Sequence, residues 1–88
     1  MHAIVVKVTV NEFDAARKTL DEQVVPRVKQ APGVVAGYWL APEDGQGLSV
    51  LVFESEDAAK GFAGQIQSPP GGEVTIDSVD LREVVAHA

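Results

Sequence analysis

The chain has 88 residues, 45% of them hydrophobic and 23% charged, a balance that fits one globular domain and excludes a disordered or low-complexity segment. Thirteen acidic residues against seven basic ones give a formal net charge of -6, and with the basic residues scattered, nucleic acid and anionic membrane surfaces are excluded as expected partners. There is no cysteine, which excludes disulfides, a thiol nucleophile and a thiolate metal site, and a cytoplasmic protein is expected.

A domain this small buries only roughly 60–65% of the surface its unfolded chain exposes, so the core is thin and association would add to it. His2 to Val10 is β-branched and alternating, with Ile4, Val6, Val8 and Val10 on one face and Val5, Lys7 and Thr9 on the other. It reads as a first strand, not as a leader or a membrane span. Asn11 is the expected N-cap of a helix whose apolar stripe is Phe13, Ala16, Leu20, Val24 and Val28. Pro26 lies inside that stripe, where it removes a backbone donor and clashes with the carbonyl of Glu22, so the last turns are expected to kink or restart.

Pro32-Gly33 ends this helix, and two strands follow, Val34 to Ala41 and Leu48 to Glu54, joined by a polar loop from Pro42 to Gly47. Ser55 is the expected N-cap of a second, weaker helix with Ala59, Phe62 and Ile66 on one side, which Ser68-Pro69-Pro70-Gly71-Gly72 breaks. The final segment changes parity, from Val74 and Ile76 to Val79, Leu81 and Val85, and a bulge near Asp77-Ser78 reconciles the two halves. This order predicts a single α+β domain over 1–88, a ferredoxin-like βαββαβ unit with a four-stranded antiparallel sheet.

Pairing Leu40 with Leu48 sets Tyr38 against Val50, Ala36 against Val52 and Val34 against Glu54, and leaves Trp39, Ser49, Gly37, Leu51, Val35 and Phe53 on the opposite face. Both faces are apolar, whereas two helices cover only one. Ile4, Val6, Val8, Tyr38, Leu48, Val50 and Val52 are assigned to the helix side. Trp39, Leu51, Phe53, Val35 and Val5 are then expected to meet a partner's sheet in a homodimer. The competing reading is a monomer whose C-terminal segment folds back over that face.

Pro32-Gly33-Val34-Val35-Ala36-Gly37-Tyr38-Trp39 and Gly47-Leu48-Ser49-Val50-Leu51-Val52-Phe53-Glu54-Ser55-Glu56-Asp57-Ala58-Ala59 resemble the antibiotic-biosynthesis-monooxygenase-like branch of the dimeric α/β-barrel superfamily. The resemblance implies a homodimer whose two sheets form a barrel, with a pocket between each sheet and its helices or loops. Its members include cofactor-independent oxygenases of quinols and polyketide aromatics, and haem-degrading enzymes. The haem-degrading members use an asparagine on the first strand and a tryptophan and a histidine on the second helix. Here the first strand offers Lys7 and Glu56 to Gln67 contains no histidine, so haem degradation is disfavoured. Many oxygenase-like members also carry tryptophan where this chain has Phe53.

Trp39, Phe53, Leu51, Val35, Thr9 and Ser49 are the candidate ligand-binding residues, an apolar lining with a few polar handles; the same residues would also serve as plain dimer core. Tyr38 is the candidate proton donor to a quinol-like substrate, and otherwise an amphipathic core residue. Lys7 is a candidate base or nucleophile, or else the partner of Glu83 in a cross-strand ion pair with Val5 opposite Val85. His2 and His87 sit on strands that neighbour each other in this topology, but two histidines do not make a metal site. Neither metal nor cofactor is expected. Gly45-Gln46-Gly47 leads into a strand and suits a turn, not a phosphate. Ser49 and Ser55 lack a nucleophile-elbow context. Two functions remain: a cofactor-independent monooxygenase acting on a small aromatic or quinol-like substrate, and a non-catalytic small-ligand-binding or interaction module.

Overall fold

The computed structural model describes residues 1–68 and 71–88. The elements run β1 (His2–Val10), α1 (Phe13–Thr19), a π-helical segment (Leu20–Val24), α2 (Val25–Lys29), β2 (Val34–Glu43), β3 (Gln46–Phe53), α3 (Glu56–Ala63) and β4 (Val74–Glu83). The four strands form one antiparallel sheet in the order β2-β3-β1-β4, the ferredoxin-like arrangement read from the sequence.

The first helical stretch shows what Pro26 does. The helix does not break; it widens by one π turn, in which Val25 N–H bonds to the carbonyl of Leu20, and Pro26 falls in the first turn of α2, where its missing donor costs little. Along the expected stripe Val28 is buried, whereas Phe13 is 52% exposed. Glu12, not Asn11, holds the N-cap position, without a side-chain cap bond. Asn11 instead donates its amide to the carbonyl of Gly72 at 3.0 Å and to Thr75 Oγ1 at 3.1 Å, tying the start of α1 to the segment before β4. Ser55 does cap α3, accepting from Ala58 N–H at 3.1 Å. That helix ends at Gly64, and Pro69-Pro70, expected to help break it, lies outside the described residues.

The β2–β3 turn is tighter than the sequence reading had it. The strands continue to Glu43 and resume at Gln46, leaving only Asp44-Gly45, both in the left-handed region at φ 52° and 78°, as a two-residue type I′ turn demands. An extra residue between Leu40 and Glu43 absorbs the difference. Leu40↔Leu48, Tyr38↔Val50 and Ala36↔Val52 pair as expected, but Val34 meets Phe53 instead of Glu54, because Val35 bulges out of the ladder. On β4, Lys7 pairs with Ser78 and Val8 with Ile76, so Asp77 is the extra residue, where the parity change placed it. The bulge brings Val74, Ile76, Val79 and Leu81 to one face.

The helices cover the face bearing Ile4, Val6, Leu51 and Phe53, which close with Val28 of α2 and Ala59 of α3 into the core. Ile4, Phe53 and Ala59 are all 0% exposed, and Phe53 and Phe62 stack at 5.5 Å between ring centroids. Burying a side chain such as Ile4 or Phe53 contributes about 1.5–3 kcal/mol, so these few residues supply much of a small domain's stability. Trp39 packs at the edge of the same cluster.

This overturns the expected face assignment. β1 lies in the phase proposed, but Leu51 sits opposite Ile4, and Ser49 opposite Val6, so Trp39, Leu51 and Phe53 belong to the helix side. Tyr38, Leu48, Val50 and Val52, expected under the helices, occupy the open face with Val5. No described element packs on that face. It reads in rows across the sheet: Ala36, Val52, Ala3, Arg82; then Tyr38, Val50, Val5, Asp80; then Leu40, Leu48, Lys7, Ser78. Three strands of it are mainly apolar, and β4 is polar.

Candidate functional site

The sheet separates Thr9 from Trp39, Ser49, Leu51 and Phe53, with which the sequence groups it as a ligand-binding residue. Tyr38, Lys7 and Thr9 are on the open face, while Trp39, Ser49, Leu51 and Phe53 are on the helix side. Phe53 and Leu51 are 0% and 3% exposed, filling the interior and leaving no surface for a ligand. Val35, lifted out by the bulge, is 52% exposed at the outer margin of β2.

Between α2 and β2 a groove of about 320 Å³ remains, lined by Val25, Val28, Lys29, Val34, Val35, Ala36, Gly37 and Trp39. Local sequence builds it. Pro32-Gly33 turns the chain so that β2 runs back along α2; Gly33 takes φ 79°, and a Cβ there would stand 2.9 Å from Ala58 Cβ. Gly37 provides the floor, since a Cβ on it would lie 2.9 Å from Trp39 Cη2, so the indole rests on bare backbone. Of the groove's residues the candidate ligand-binding set contains Val35 and Trp39, and lacks Val25, Val28, Lys29, Val34, Ala36 and Gly37. The available signal was the short Pro-Gly connection, which places the last turn of α2 beside the first residues of β2.

A second, wider cleft of about 560 Å³ lies between α2 and α3, with Ala31, Ala58, Gly61 and Phe62 beneath and Arg27, Gln30, Asp57 and Gln65 at the rim.

The ionisable candidates take other roles. Lys7 lies opposite Ser78, and Glu83 opposite His2, so the expected Lys7–Glu83 pair does not form; Val5 faces Asp80 instead of Val85. Among the described residues Lys7 makes no ion pair. His2 Nε2 stands 3.3 Å from Glu56 Oε2, and Lys60 Nζ is 2.6 Å from Glu56 Oε1. The Lys60 hydrogen bond, then the Lys60 and His2 charges, hold the Glu56 carboxyl below the usual carboxylate range, and Glu56 in turn raises the Lys60 ammonium. β1 and β4 are neighbours as expected, but β4 ends opposite His2, and His87 follows in the exposed tail. Among the described residues no three His, Asp or Glu side chains are grouped to hold a metal ion.

At the polar corner of the open face, Thr9 Oγ1 donates to Asp77 Oδ2 at 2.7 Å, so the bulged residue turns its carboxylate toward the same side as Lys7 and Ser78. Tyr38 and Lys7 stand in adjoining rows with β3 between their strands. They share a face but not a contact.

No protein-family model matches the chain, and no curated protein matches it in sequence. Solved structures do. HapK from Hahella chejuensis superposes with a TM-score of 0.72 at 16% identity, covering 100% of this chain and 96% of that one. A MhuD mutant crystallised with two manganese protoporphyrin IX molecules per active site superposes with a TM-score of 0.66 at 17% identity, covering 100% of this chain and 98% of that one. Among the described residues, no helix is long and apolar enough to cross a membrane.

Proposed function

We propose that the chain, which carries the antibiotic-biosynthesis-monooxygenase-like fold, works as a homodimeric small-ligand-binding protein, two copies joined through the open sheet face and each holding a small apolar or aromatic molecule in the Trp39 groove. The observation that carries this reading is the division of labour across the sheet. One side presents Tyr38 and Leu40, 60% and 52% exposed, beside Val5, Leu48, Val50 and Val52. An uncovered apolar face of that kind is an interface by default. Between α2 and β2 the chain keeps a groove lined by Val25, Val28, Val34 and Trp39.

A porphyrin of the kind bound to MhuD does not fit. The interior is closed by Ile4, Phe53 and Ala59, all 0% exposed, His2 is engaged with Glu56, and His87 lies in the tail.

The second reading is a cofactor-independent monooxygenase. The observation favouring it is that Tyr38 and Lys7 both project from the face a partner would cover, with Thr9 nearby. Any chamber left between two sheets would be lined by a phenol able to donate a proton and an ammonium able to hold an anionic intermediate, in surroundings that exclude water. The chemistry would then sit between subunits and not in the Trp39 groove.

Native mass spectrometry of the purified protein tests both parts of the leading reading, with twice the chain mass expected, together with any retained small molecule. A single-chain mass at micromolar concentration overturns the dimer. Val50→Asp, which places a charge at the centre of the apolar rows, is expected to give a folded monomer. Oxygen uptake with quinols and hydroxylated aromatics decides between the readings: turnover abolished by Tyr38→Phe favours the oxygenase, and no uptake leaves the binding protein.

A further inference from the structure

We infer that the groove between α2 and β2 selects a small amphipathic anion, a compact apolar body carrying one carboxylate, with Lys29 as its counter-charge. This rests on the groove being the ligand site and goes further by naming what the site prefers.

Charge is the first argument. The chain carries thirteen carboxylates against seven basic side chains, yet the groove is lined by no carboxylate and by one cation. Lys29 makes no ion pair among the described residues. Lys29 is exposed, so a neutral apolar ligand would leave its ammonium to water, whereas the carboxylate of a ligand seated in the groove could meet it in a charge-assisted hydrogen bond.

Shape is the second. Val25, Val28 and Val34 make an aliphatic wall, and Trp39 rests over Gly37 at the opposite side. The bulge adds Val35, which regular pairing would have kept in the ladder, and bulges recur where a strand re-aims a side chain toward a site. A volume of about 320 Å³ lies at the small end of ligand pockets, the room for a single ring or a short aliphatic chain.

Trp39 is the chain's sole tryptophan, so its fluorescence reports the groove directly. The test titrates the intact protein at neutral pH with benzoate and hexanoate and with their uncharged amides, the two carboxylates separating an aromatic from an aliphatic body. Both carboxylates, or one of them, are expected to bind about five- to tenfold more tightly than the matching amide, the scale of one charge-assisted contact in a partly exposed site. Lys29→Gln is expected to erase that preference, bringing each acid to the affinity of its amide, and Lys29→Arg to keep it. Because Lys29 also sits in the last turn of α2, Val35→Glu provides a second variant away from the helix, expected to weaken carboxylate binding more than amide binding. Equal affinity for acid and amide in the unmodified protein, or a preference that survives Lys29→Gln, overturns the anion inference and leaves the groove as a site. Absence of binding by all four probes, confirmed by calorimetry, overturns the groove itself.

Discussion

The two faces of the sheet are built from similar residues and end in opposite situations. On the helix side, valines, a leucine and an isoleucine close around Phe53 until nothing of it is exposed; on the open side, valines and leucines surround Tyr38, which stays 60% exposed. The difference teaches that apolar character alone does not assign a face. What separates them is the covering layer: Val28 from α2 and Ala59 from α3 reach one face, and no described element reaches the other.

Substitutions on each side sharpen the contrast. Phe53→Ala is expected to cost about 3–5 kcal/mol, enough to unfold much of a domain of this size, seen as loss of the cooperative thermal transition. Tyr38→Ala, made in the monomeric Val50→Asp background, is expected to cost less than about 1 kcal/mol; an equal loss from both would break the comparison. Gly33→Ala is expected to cost about 2 kcal/mol by chemical denaturation, because alanine must take a left-handed conformation and drive its methyl toward Ala58, loosening the joint that holds α3 and β2 together. Thr9→Val removes the bond to Asp77 at the open corner and should cost about 0.5–1 kcal/mol, less than any change in the core.

The smallest effect is expected at Glu56. Its carboxyl is held low, so its favourable contribution is present above the ordinary carboxylate range and is lost as the pH falls through its lowered value. Lys60 is held high, so its share is present below the ordinary lysine value and lost as the pH rises through the raised one. Glu56→Gln should therefore lower the melting temperature slightly at neutrality and leave it unchanged once the pH has fallen through the lowered carboxyl value, a flatter profile measured by scanning calorimetry.

Much of the fold was legible because local rules agree: the alternation in β1, the Ser55 cap, the Leu40–Leu48 pairing and the extra residue at Asp77 follow from nearby residues. The face of β2 and β3 was not, because it depends on how β3 registers against β1, a pairing between segments far apart in sequence. With both parities apolar, nothing in the hairpin distinguishes Ile4 opposite Leu51 from Ile4 opposite Val50. The candidate site suffered in the same way. Thr9 and Trp39, read together as ligand-binding residues, lie on opposite sides because β3 registers Leu51 and not Val50 against Ile4, so that set mixes two surfaces. Lys29 was missed because a lysine ending a helix has an ordinary explanation in the helix dipole, and only the return of β2 beside it gives it a groove.

Asp77 makes β4 a strand that counts its residues twice. Up to Ile76 the helix-side positions are even-numbered, and from Val79 they are odd. The two halves stay on one face only while the intervening count is kept, so loss of a single residue there would leave composition almost unchanged and yet turn one half of the strand inside out. Side-chain substitution at Asp77 would remove a hydrogen bond, whereas deletion would change the phase of an edge, and the chain's tolerance of the first need not extend to the second.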